Sequence, residues 1–271
     1  MRTDDEIRTL VRERYGTIAR ETSSCCAPAT CGCGPEIAPD GLNVIGDAYQ
    51  GVAGRHEEAD LNLGCGVPTR HAALRPGETV LDLGSGAGND VLIARHEVGP
   101  EGRVIGVDMT PDMIGRARAN AEKLGFENVE FRLGEIERLP VEAGSVDAVI
   151  SNCVLNLVPD KAGAFAETAR VLRPGGRFCV SDIVATAELP AGVRAAAGLY
   201  VGCVAGAIPE VDYLALLAAA GFEDVRIVEP KPIALPDKAL APHMGPAEIA
   251  AFRASGVGIK SVTVLGTKPA G

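Results

Sequence analysis

The chain has 271 residues, of which 46% are hydrophobic and 23% are charged, so it can fill the core of a large domain. Its 33 glycines and 18 prolines stay below the share typical of low-complexity chains, which excludes disorder or a coiled coil as the main structure. The 26 basic and 36 acidic residues give a net charge of −10, which disfavours nucleic acid as a partner because the phosphate backbone would be repelled.

The start of the chain carries no recognisable export signal. Residues 1–6 end in three acidic side chains and lack the basic, apolar and small-residue order of a signal peptide. The longest uncharged stretch, residues 195–209, is too short and Gly-rich to cross a bilayer. We therefore expect a cytoplasmic protein without a membrane partner, in which the eight cysteines are free thiols available for packing, catalysis or metal binding.

The first predicted element is an amphipathic helix over residues 4–20, where apolar side chains recur every three or four positions. Residues 21–66 show no such period and are rich in Cys, Gly and Pro, which predicts a long loop region. A loop of this length inside a compact domain is usually either disordered or functional, and its cysteines favour a function.

Short apolar strands and helical segments alternate from residue 79 onward. The clearest helix begins after Thr110, with Pro111 at its first position and Gly125 just beyond its end. This alternation predicts an α/β fold with a doubly wound, mostly parallel sheet and helices on both faces. Two later helices are predicted near residues 191–204 and 210–220, and the strands at 79–83, 103–108, 129–133, 146–151, 177–182, 225–228 and 261–267.

The turn after the first predicted strand has the composition of a ligand-binding turn. Gly84, Gly86 and Gly88 let the backbone pass close to a ligand, although an ordinary tight turn is the alternative for these glycines alone. Their G-x-G-x-G spacing differs from the G-x-G-x-x-G of dinucleotide-binding folds, and Asp82 and Asp90 flank them. Carboxylates disfavour a pyrophosphate but favour an ammonium or sulfonium group, which indicates S-adenosylmethionine as the cofactor.

Candidate cofactor-binding residues also follow the later strands. Asp108, at the end of the second strand, is expected to accept hydrogen bonds from ribose hydroxyls, and Met109 is expected to pack on adenine. Gly134-Glu135-Ile136 after the third strand offers a carboxylate for the adenine amino group, and Asn152 ends the fourth strand. Because open α/β sheets bind ligands at the carboxyl ends of their strands, we expect these residues to share one site.

The acceptor side of the site is marked by cysteine rather than by a general base. Cys153 follows Asn152 at the cofactor edge, Cys65 lies between two glycines in a setting that predicts an accessible thiol, and Cys203 has small neighbours. Cys179 alternates within a predicted strand and is interpreted as a small buried hydrophobe. Packing remains the alternative for Cys153 and Cys203 taken singly.

Together, Cys65, Cys153 and Cys203 are expected to form a soft trigonal site. Thiolates select thiophilic ions over Mg²⁺ or Ca²⁺. Zinc is the ordinary occupant of such sites but prefers four ligands, and C-x2-C pairs are absent from these three segments, so a three-coordinate metalloid fits at least as well.

Four more cysteines, Cys25, Cys26, Cys31 and Cys33, lie in the predicted N-terminal loop. Their spacing is too irregular for a standard zinc finger, so we interpret them as a dithiol–disulfide device for electron supply or metalloid capture. A disordered tail that chelates metals without specificity is the alternative, because such tracts are recognised by composition only.

The segment from Val80 to Asp108, with the turns at 134–136 and 151–152, resembles the class I S-adenosylmethionine-dependent methyltransferases. That resemblance implies a Rossmann-like, seven-stranded sheet closed by an antiparallel hairpin of the strands near 225 and 261, with residues 230–260 inserted between them. We divide the chain into a helix and Cys-rich extension (1–75), a cofactor-binding domain (76–185) and a smaller C-terminal region that completes the sheet and the acceptor site (186–271).

A closer resemblance, to the arsenite methyltransferases, covers residues 15–230 and the closing strand, but not residues 236–258. It rests on the following motifs: Leu63-Gly64-Cys65-Gly66-Val67-Pro68, Gly106-Val107-Asp108-Met109-Thr110-Pro111, Phe131-Arg132-Leu133-Gly134-Glu135-Ile136-Glu137, Ser151-Asn152-Cys153-Val154-Leu155-Asn156-Leu157 and Gly202-Cys203-Val204-Ala205-Gly206-Ala207.

This resemblance implies that Cys65, Cys153 and Cys203 bind trivalent arsenic, as arsenite or a thiol conjugate, and that S-adenosylmethionine methylates it. It also implies that a fourth, N-terminal cysteine forms a disulfide with Cys65 during turnover. Of the four candidates we favour Cys26, with thioredoxin or glutathione as the reductant that resets the disulfide.

Two other functions are compatible with the same sequence. A methyltransferase for a small organic acceptor would use the cysteines only for packing, although 4% aromatic residues offer little ring surface for an extended apolar ligand. A metalloid-binding protein without turnover would not need the cofactor turn. The first alternative predicts that activity survives Cys65→Ser, and the second predicts that S-adenosylmethionine does not bind.

Overall fold

The structure is a computed structural model that describes residues 3–21, 49–195 and 203–271. Cys25, Cys26, Cys31 and Cys33 lie outside the described residues, and so do the predictions made for them. Within these ranges the elements run from an N-terminal helix into one α/β unit that extends to the end of the chain.

Seven strands form one sheet in the order β3-β2-β1-β4-β5-β7-β6. Strands β1 to β5 are parallel to one another, and β7 runs antiparallel to both β5 and β6. The predicted class I methyltransferase fold, with its final antiparallel hairpin, is therefore confirmed. The strands are β1 (Thr79–Leu83), β2 (Arg103–Asp108), β3 (Val129–Leu133), β4 (Val146–Asn152), β5 (Leu172–Ala185), β6 (Glu223–Ile233) and β7 (Ile259–Thr267).

The helices cover the sheet and its carboxyl edge. Among the described residues they are α1 (Asp4–Glu21), α2 (Asn89–Val98), α3 (Pro111–Lys123), α4 (Lys161–Val171), α5 (Ala191–Ala195), α6 (Glu210–Ala219), α7 (Asp237–Leu240) and α8 (Pro246–Ala254), with short 3-10 turns at Pro68–Arg70 and Leu155–Leu157. No helix in the described ranges has the length and apolar character needed to cross a membrane.

Two sequence-based expectations are corrected by these bounds. The helix predicted near 191–204 does not extend to residue 204. Cys203 lies in a turn with a φ of 64°, which a right-handed helix cannot contain. The predicted strand at 177–182 is the middle of a much longer strand, β5, because its pairing with β7 continues to Ala185.

The insertion between β6 and β7 is a pair of short helices, α7 and α8. Their side chains Leu240, Ile249 and Phe252 are buried in the same apolar cluster as the three predicted thiol ligands. The segment that resembled nothing in the family therefore helps to enclose the thiol region.

The centre of the sheet is a rigid support for its carboxyl edge. The large apolar side chains of β1 and β4, including Leu81, Leu83 and Val149, are fully buried, and each contributes about 1.5–3 kcal/mol relative to exposure. The chain leaves β1 toward β2 and later returns to β4 on the other side of β1. Open α/β sheets bind ligands at such a reversal of strand order.

Candidate active site

The turn after β1 has a left-handed backbone that favours glycine. Gly84, Gly86 and Gly88 have φ values of 68°, 51° and 95°. A Cβ on Gly84 would lie 2.5 Å from the side chain of Val154, whereas a Cβ on Gly86 would meet nothing within 4 Å. Gly84 therefore packs closely against the loop after β4, and Gly86 borders open space.

That open space is a cleft, part of it open to solvent, between the carboxyl ends of the strands and helix α1. It brings together most of the predicted residues from four strand ends. Those that line it are Asp82, Gly84, Gly86, Asp108, Met109, Gly134, Ile136, Asn152 and Cys153. Gly88 and Glu135 are not among the residues that line it.

The polar wall of the cleft is acidic. Asp82 is 2% exposed, and burial, followed by the charges of Asp90 and Asp108, raises its pKa well above the ordinary value. Burial also raises the pKa of Asp90 to about 6, although hydrogen bonds from Tyr49 and Asn152 lower it. Buried carboxylates without cations are unfavourable, so a cationic ligand in the cleft would be stabilised by this wall.

Asp108 stabilises the turn as well as lining the cleft. Its Oδ2 accepts a hydrogen bond from the Gly86 N–H at 3.0 Å, and its Oδ1 accepts one from the Thr110 N–H at 2.8 Å. Each carboxylate oxygen has a further lone pair, so these bonds leave acceptor capacity for ligand hydroxyls. The predicted ribose contact remains a prediction.

Glu135 is directed toward helix α1. Its carboxylate lies 3.7 Å from Arg8 Nε and 3.5 Å from Arg12 Nη2, and Arg8 also pairs with Glu137 at 3.0 Å. The carboxylate of Glu135 therefore anchors α1 over the edge of the cleft, while Glu137 lines the cleft. Contact between Glu135 and an adenine amino group remains a prediction.

A hydrogen-bonded network joins the acidic wall to the Cys65 loop. The Tyr49 hydroxyl donates to Asp90 Oδ2 at 2.7 Å, and Asn152 Nδ2 donates to the Tyr49 hydroxyl oxygen and, at 2.8 Å, to the Gly66 carbonyl. Asn152 Oδ1 in turn accepts a bond from the Cys65 N–H at 3.0 Å. Tyr49 was missed by the sequence analysis because it lies in a loop without periodicity or motif.

Three thiols from distant segments meet beside the cleft. The Cys65 and Cys153 sulfurs lie within 4.8 Å of each other, and Cys203 Sγ donates to the Cys153 carbonyl at 2.8 Å. Cys65, Cys153 and Cys203 are only 2%, 6% and 2% exposed. The expectation that the flanking glycines make the Cys65 thiol accessible is therefore wrong, since Asn152 fixes its loop against the sheet.

Two of these cysteines have an unusual backbone. Cys153 and Cys203 have φ values of 58° and 64°, a region that non-glycine residues adopt at a cost of about 1–3 kcal/mol. Such strain persists where the surroundings require it, and it often occurs at functional sites. Here it accompanies the packing of the Cys203 thiol against Cys153.

Burial and mutual contact favour the protonated form of the three thiols. Burial raises the pKa of Cys65, and the contact with Cys153 followed by burial raises that of Cys203 well above its ordinary value. For Cys153, the hydrogen bond with Cys203 lowers the pKa. The hydrogen bond with Cys65 and burial together raise it by more, so the pKa of Cys153 lies well above its ordinary value. A ligand that binds as a thiolate complex must therefore displace these protons.

Cys179 has none of these features. It is 1% exposed on β5, and its thiol donates to the Pro68 carbonyl at 3.1 Å. The interpretation of Cys179 as a packed, buried residue is confirmed, and this residue provides a matched control for the other three.

Comparison with known proteins agrees with this geometry. A methyltransferase-domain family model matches residues 74–230. An arsenite methyltransferase of Halobacterium salinarum is 51% identical over 83% of this chain, which spans 60% of that protein. One from Aquipseudomonas alcaligenes is 38% identical over 88% of this chain and 68% of that protein.

A solved structure extends the likeness to three dimensions. The arsenic(III) S-adenosylmethionine methyltransferase of Chlamydomonas reinhardtii is similar with a TM-score of 0.64 and 38% identity, over 77% of this chain and 68% of that one. The fold, the glycine turn and the acidic cleft define a class I S-adenosylmethionine-dependent methyltransferase. Within that class, the chain belongs to the arsenite methyltransferase family.

The residues of the cleft fit S-adenosylmethionine, the cofactor of this class. Its ammonium and sulfonium groups carry positive charge that would balance the carboxylates of Asp82 and Asp90. Within the described part of the chain, the buried Ser85 Oγ and Asn89 Oδ1 have no hydrogen-bond partner, and both residues line the cleft. These atoms can bind a polar ligand, which would satisfy them.

Tyr49→Phe is expected to weaken S-adenosylmethionine binding by about tenfold or more, since a hydrogen bond to a charged group contributes about 1.5–3 kcal/mol. Because the Tyr49 bond lowers the pKa of Asp90, the variant should also shift the pH dependence of binding upward. Calorimetric titration at several pH values measures both effects. The control Thr267→Val, which removes a hydroxyl at the far end of β7, should change neither the affinity nor its pH dependence. An unchanged pH profile in Tyr49→Phe would contradict the role of Tyr49 at Asp90.

S-adenosylmethionine affinity is expected to fall as the pH drops through about 6, the pKa of Asp90. A cationic ligand binds the ionised carboxylate better, so affinity is highest above this pKa and is lost as the group becomes protonated. Asp90→Asn should bind weakly at pH 7 and lose the change in affinity that is centred near pH 6; any change that remains is that of Asp82, whose pKa is also raised. An Asn variant with the pH profile of the unmodified protein would show that another group titrates.

Proposed function

We propose that this protein transfers the methyl group of S-adenosylmethionine to trivalent arsenic held by the thiolates of Cys65, Cys153 and Cys203. One observation carries the proposal: three thiols converge, and one of them, Cys153, lines the cofactor cleft. The names of the relatives support arsenic as the substrate.

Binding of arsenic exchanges its ligands. Each thiol proton leaves with one hydroxide of arsenite as water, or with the thiolate of a conjugate as free thiol, so the exchange needs no external base. Three thiolates are soft ligands that suit a thiophilic centre. Arsenic bound in this way keeps its lone pair, which serves as the nucleophile.

The chain positions the two substrates rather than activating them by proton transfer. Bound S-adenosylmethionine supplies the methyl group on a sulfonium whose sulfur leaves as a neutral thioether. In this proposal Asp82 and Asp90 hold the cationic end, and Asp108 accepts hydrogen bonds from the ribose; all three residues line the cleft. Asn152 fixes the Cys65 loop relative to this cleft, so the arsenic and the methyl group are held in one orientation.

Completion of the cycle requires two electrons, because methylation oxidises arsenic formally from the trivalent to the pentavalent state. Two electrons would return to arsenic if the bond between arsenic and the Cys65 sulfur breaks while that sulfur forms a disulfide with an N-terminal thiol, for which we favour Cys26. The proton of the N-terminal thiol would leave to solvent. Thioredoxin or glutathione would then reduce this disulfide by thiol exchange.

The binding step is tested by native mass spectrometry of the protein with arsenite. The proposal expects one arsenic atom bound with three protein hydrogens lost. Cys203→Ser should lose this species, Cys179→Ser should retain it, and a variant with serine at positions 25, 26, 31 and 33 should retain it as well. Binding that survives Cys203→Ser but disappears with the four N-terminal substitutions would overturn the proposed ligand set.

A further inference from the structure

A buried carboxyl group lies against the thiols and has no part in the proposed chemistry. Asp182 on β5 is 0% exposed, and one of its carboxylate oxygens lies within 4.8 Å of the sulfurs of Cys65 and Cys153. The sequence places it one position beyond Ser181, which pairs with Asn152 at the end of β4. In the sequence, the available signal was that Asp182 ends the predicted strand 177–182, although β5 continues to Ala185.

Hydrogen bonds from neighbouring residues fix the orientation of the Asp182 carboxylate. Asn156 Nδ2 donates to Asp182 Oδ1 at 2.8 Å, and the Ile183 N–H donates to the same oxygen at 2.9 Å. The other oxygen is approached only loosely by the Tyr213 hydroxyl, at 3.4 Å. Metal-ligating carboxylates are typically fixed in this manner, with lone pairs left for the ion.

We propose that Cys65, Cys153 and Asp182 form a site for a soft divalent cation, Zn²⁺ or Cd²⁺, which competes with arsenic for two shared thiols. The inference rests on the proposed function for its consequence, since a cation bound to Cys65 and Cys153 excludes arsenic. Thiolate and carboxylate donors both occur in zinc sites, and water supplies the fourth ligand.

The charges at the site distinguish the two occupants. Two thiolates and the Asp182 carboxylate carry three negative charges, which a divalent cation and the nearby Lys161 ammonium balance. The charge of Lys161 lowers the pKa of both Asp182 and Cys203. Trivalent arsenic is already balanced by three thiolates. Its lone pair occupies the remaining direction, so arsenic does not recruit Asp182, whereas a tetrahedral divalent ion does.

The two occupants therefore depend on different residues. The divalent cation needs Asp182 in addition to Cys65 and Cys153, and its binding releases the two thiol protons to solvent. Arsenic needs Cys203 in addition to the same pair. Zn²⁺ is accordingly expected to inhibit methylation competitively toward arsenite and not toward S-adenosylmethionine.

The test is a titration with Cd²⁺ in the variant that carries serine at positions 25, 26, 31 and 33, with the ultraviolet thiolate-to-cadmium band as the readout. Asp182→Asn in this background should weaken Cd²⁺ binding by at least about tenfold, as expected when a ligand or its support is removed. Arsenite binding, measured by mass spectrometry, should be unchanged in Asp182→Asn. Cys203→Ser should show the reverse pattern, and Cys179→Ser should retain both.

Several outcomes would overturn this inference. They are unchanged Cd²⁺ affinity in Asp182→Asn, equal loss of Cd²⁺ and arsenite in that variant, or no Cd²⁺ band once the N-terminal cysteines are replaced. Cd²⁺ binding that depends on Asp182 in a protein that binds no arsenite would uphold the cation site and overturn the proposed function, so the two failures are distinguishable.

Discussion

Cys153→Ser is expected to lower arsenite methylation by more than about a hundredfold, beyond the 10–100-fold typical of residues that only support a ligand. Serine preserves size but replaces the soft sulfur with a hard oxygen, and Cys153 is the thiol that lines the cofactor cleft. S-adenosylmethionine affinity should stay nearly unchanged, because the acidic wall and the glycine turn are intact. Methylated arsenic and cofactor affinity are measured on the same preparation.

Cys179→Ser is the matched control for this prediction. Cys179 is as deeply buried as Cys153 but lies outside the thiol cluster, so its replacement should keep the activity. Full activity in Cys153→Ser would remove this thiol from the reaction, and equal losses in both variants would indicate a general effect on folding.

The second large effect is expected for Asn152→Ala, which should weaken the binding of both S-adenosylmethionine and arsenite by tenfold or more. The Asn152 side chain contacts Asp90 on the cofactor side and the Cys65 N–H on the thiol side. Removing one partner of a buried hydrogen bond costs about 1–3 kcal/mol, and here several bonds are lost together. Calorimetry for the cofactor and mass spectrometry for arsenite measure the two affinities.

Asn128→Ala provides the comparison for this variant. Asn128 also donates to backbone carbonyls, those of Gly99 at 3.0 Å and Gly102 at 2.8 Å, but it lies before β3 and away from the cleft. Its loss should lower the melting temperature and leave both affinities unchanged. If Asn152→Ala weakened only one of the two ligands, Asn152 would not couple the two halves of the site.

The cofactor side of the site was largely predictable because its residues follow directly from strand ends. Short buried apolar segments identified β1, β2 and β4, and parallel pairing then required that Asp82, Asp108 and Asn152 approach one edge. Local spacing and a general rule of α/β sheets were sufficient for this inference.

The thiol side depended on long-range packing, which the sequence does not encode locally. Cys65 precedes β1 by a loop, and its burial results from hydrogen bonds with Asn152 that no periodicity indicates. Tyr49 reaches Asp90 across the same loop region. The apolar cover from Leu240 and Phe252 comes from an insertion without a recognisable motif, so its role is evident only from the burial of these side chains in the cluster that contains the thiols.

The most direct test of the account is product analysis after incubation of the purified protein with arsenite, S-adenosylmethionine and excess thiol, with arsenic species separated by chromatography and detected by element. The account predicts methylated arsenic well above the amount formed by Cys153→Ser, together with an equivalent amount of S-adenosylhomocysteine. The absence of methylated arsenic from a preparation that binds S-adenosylmethionine would contradict it.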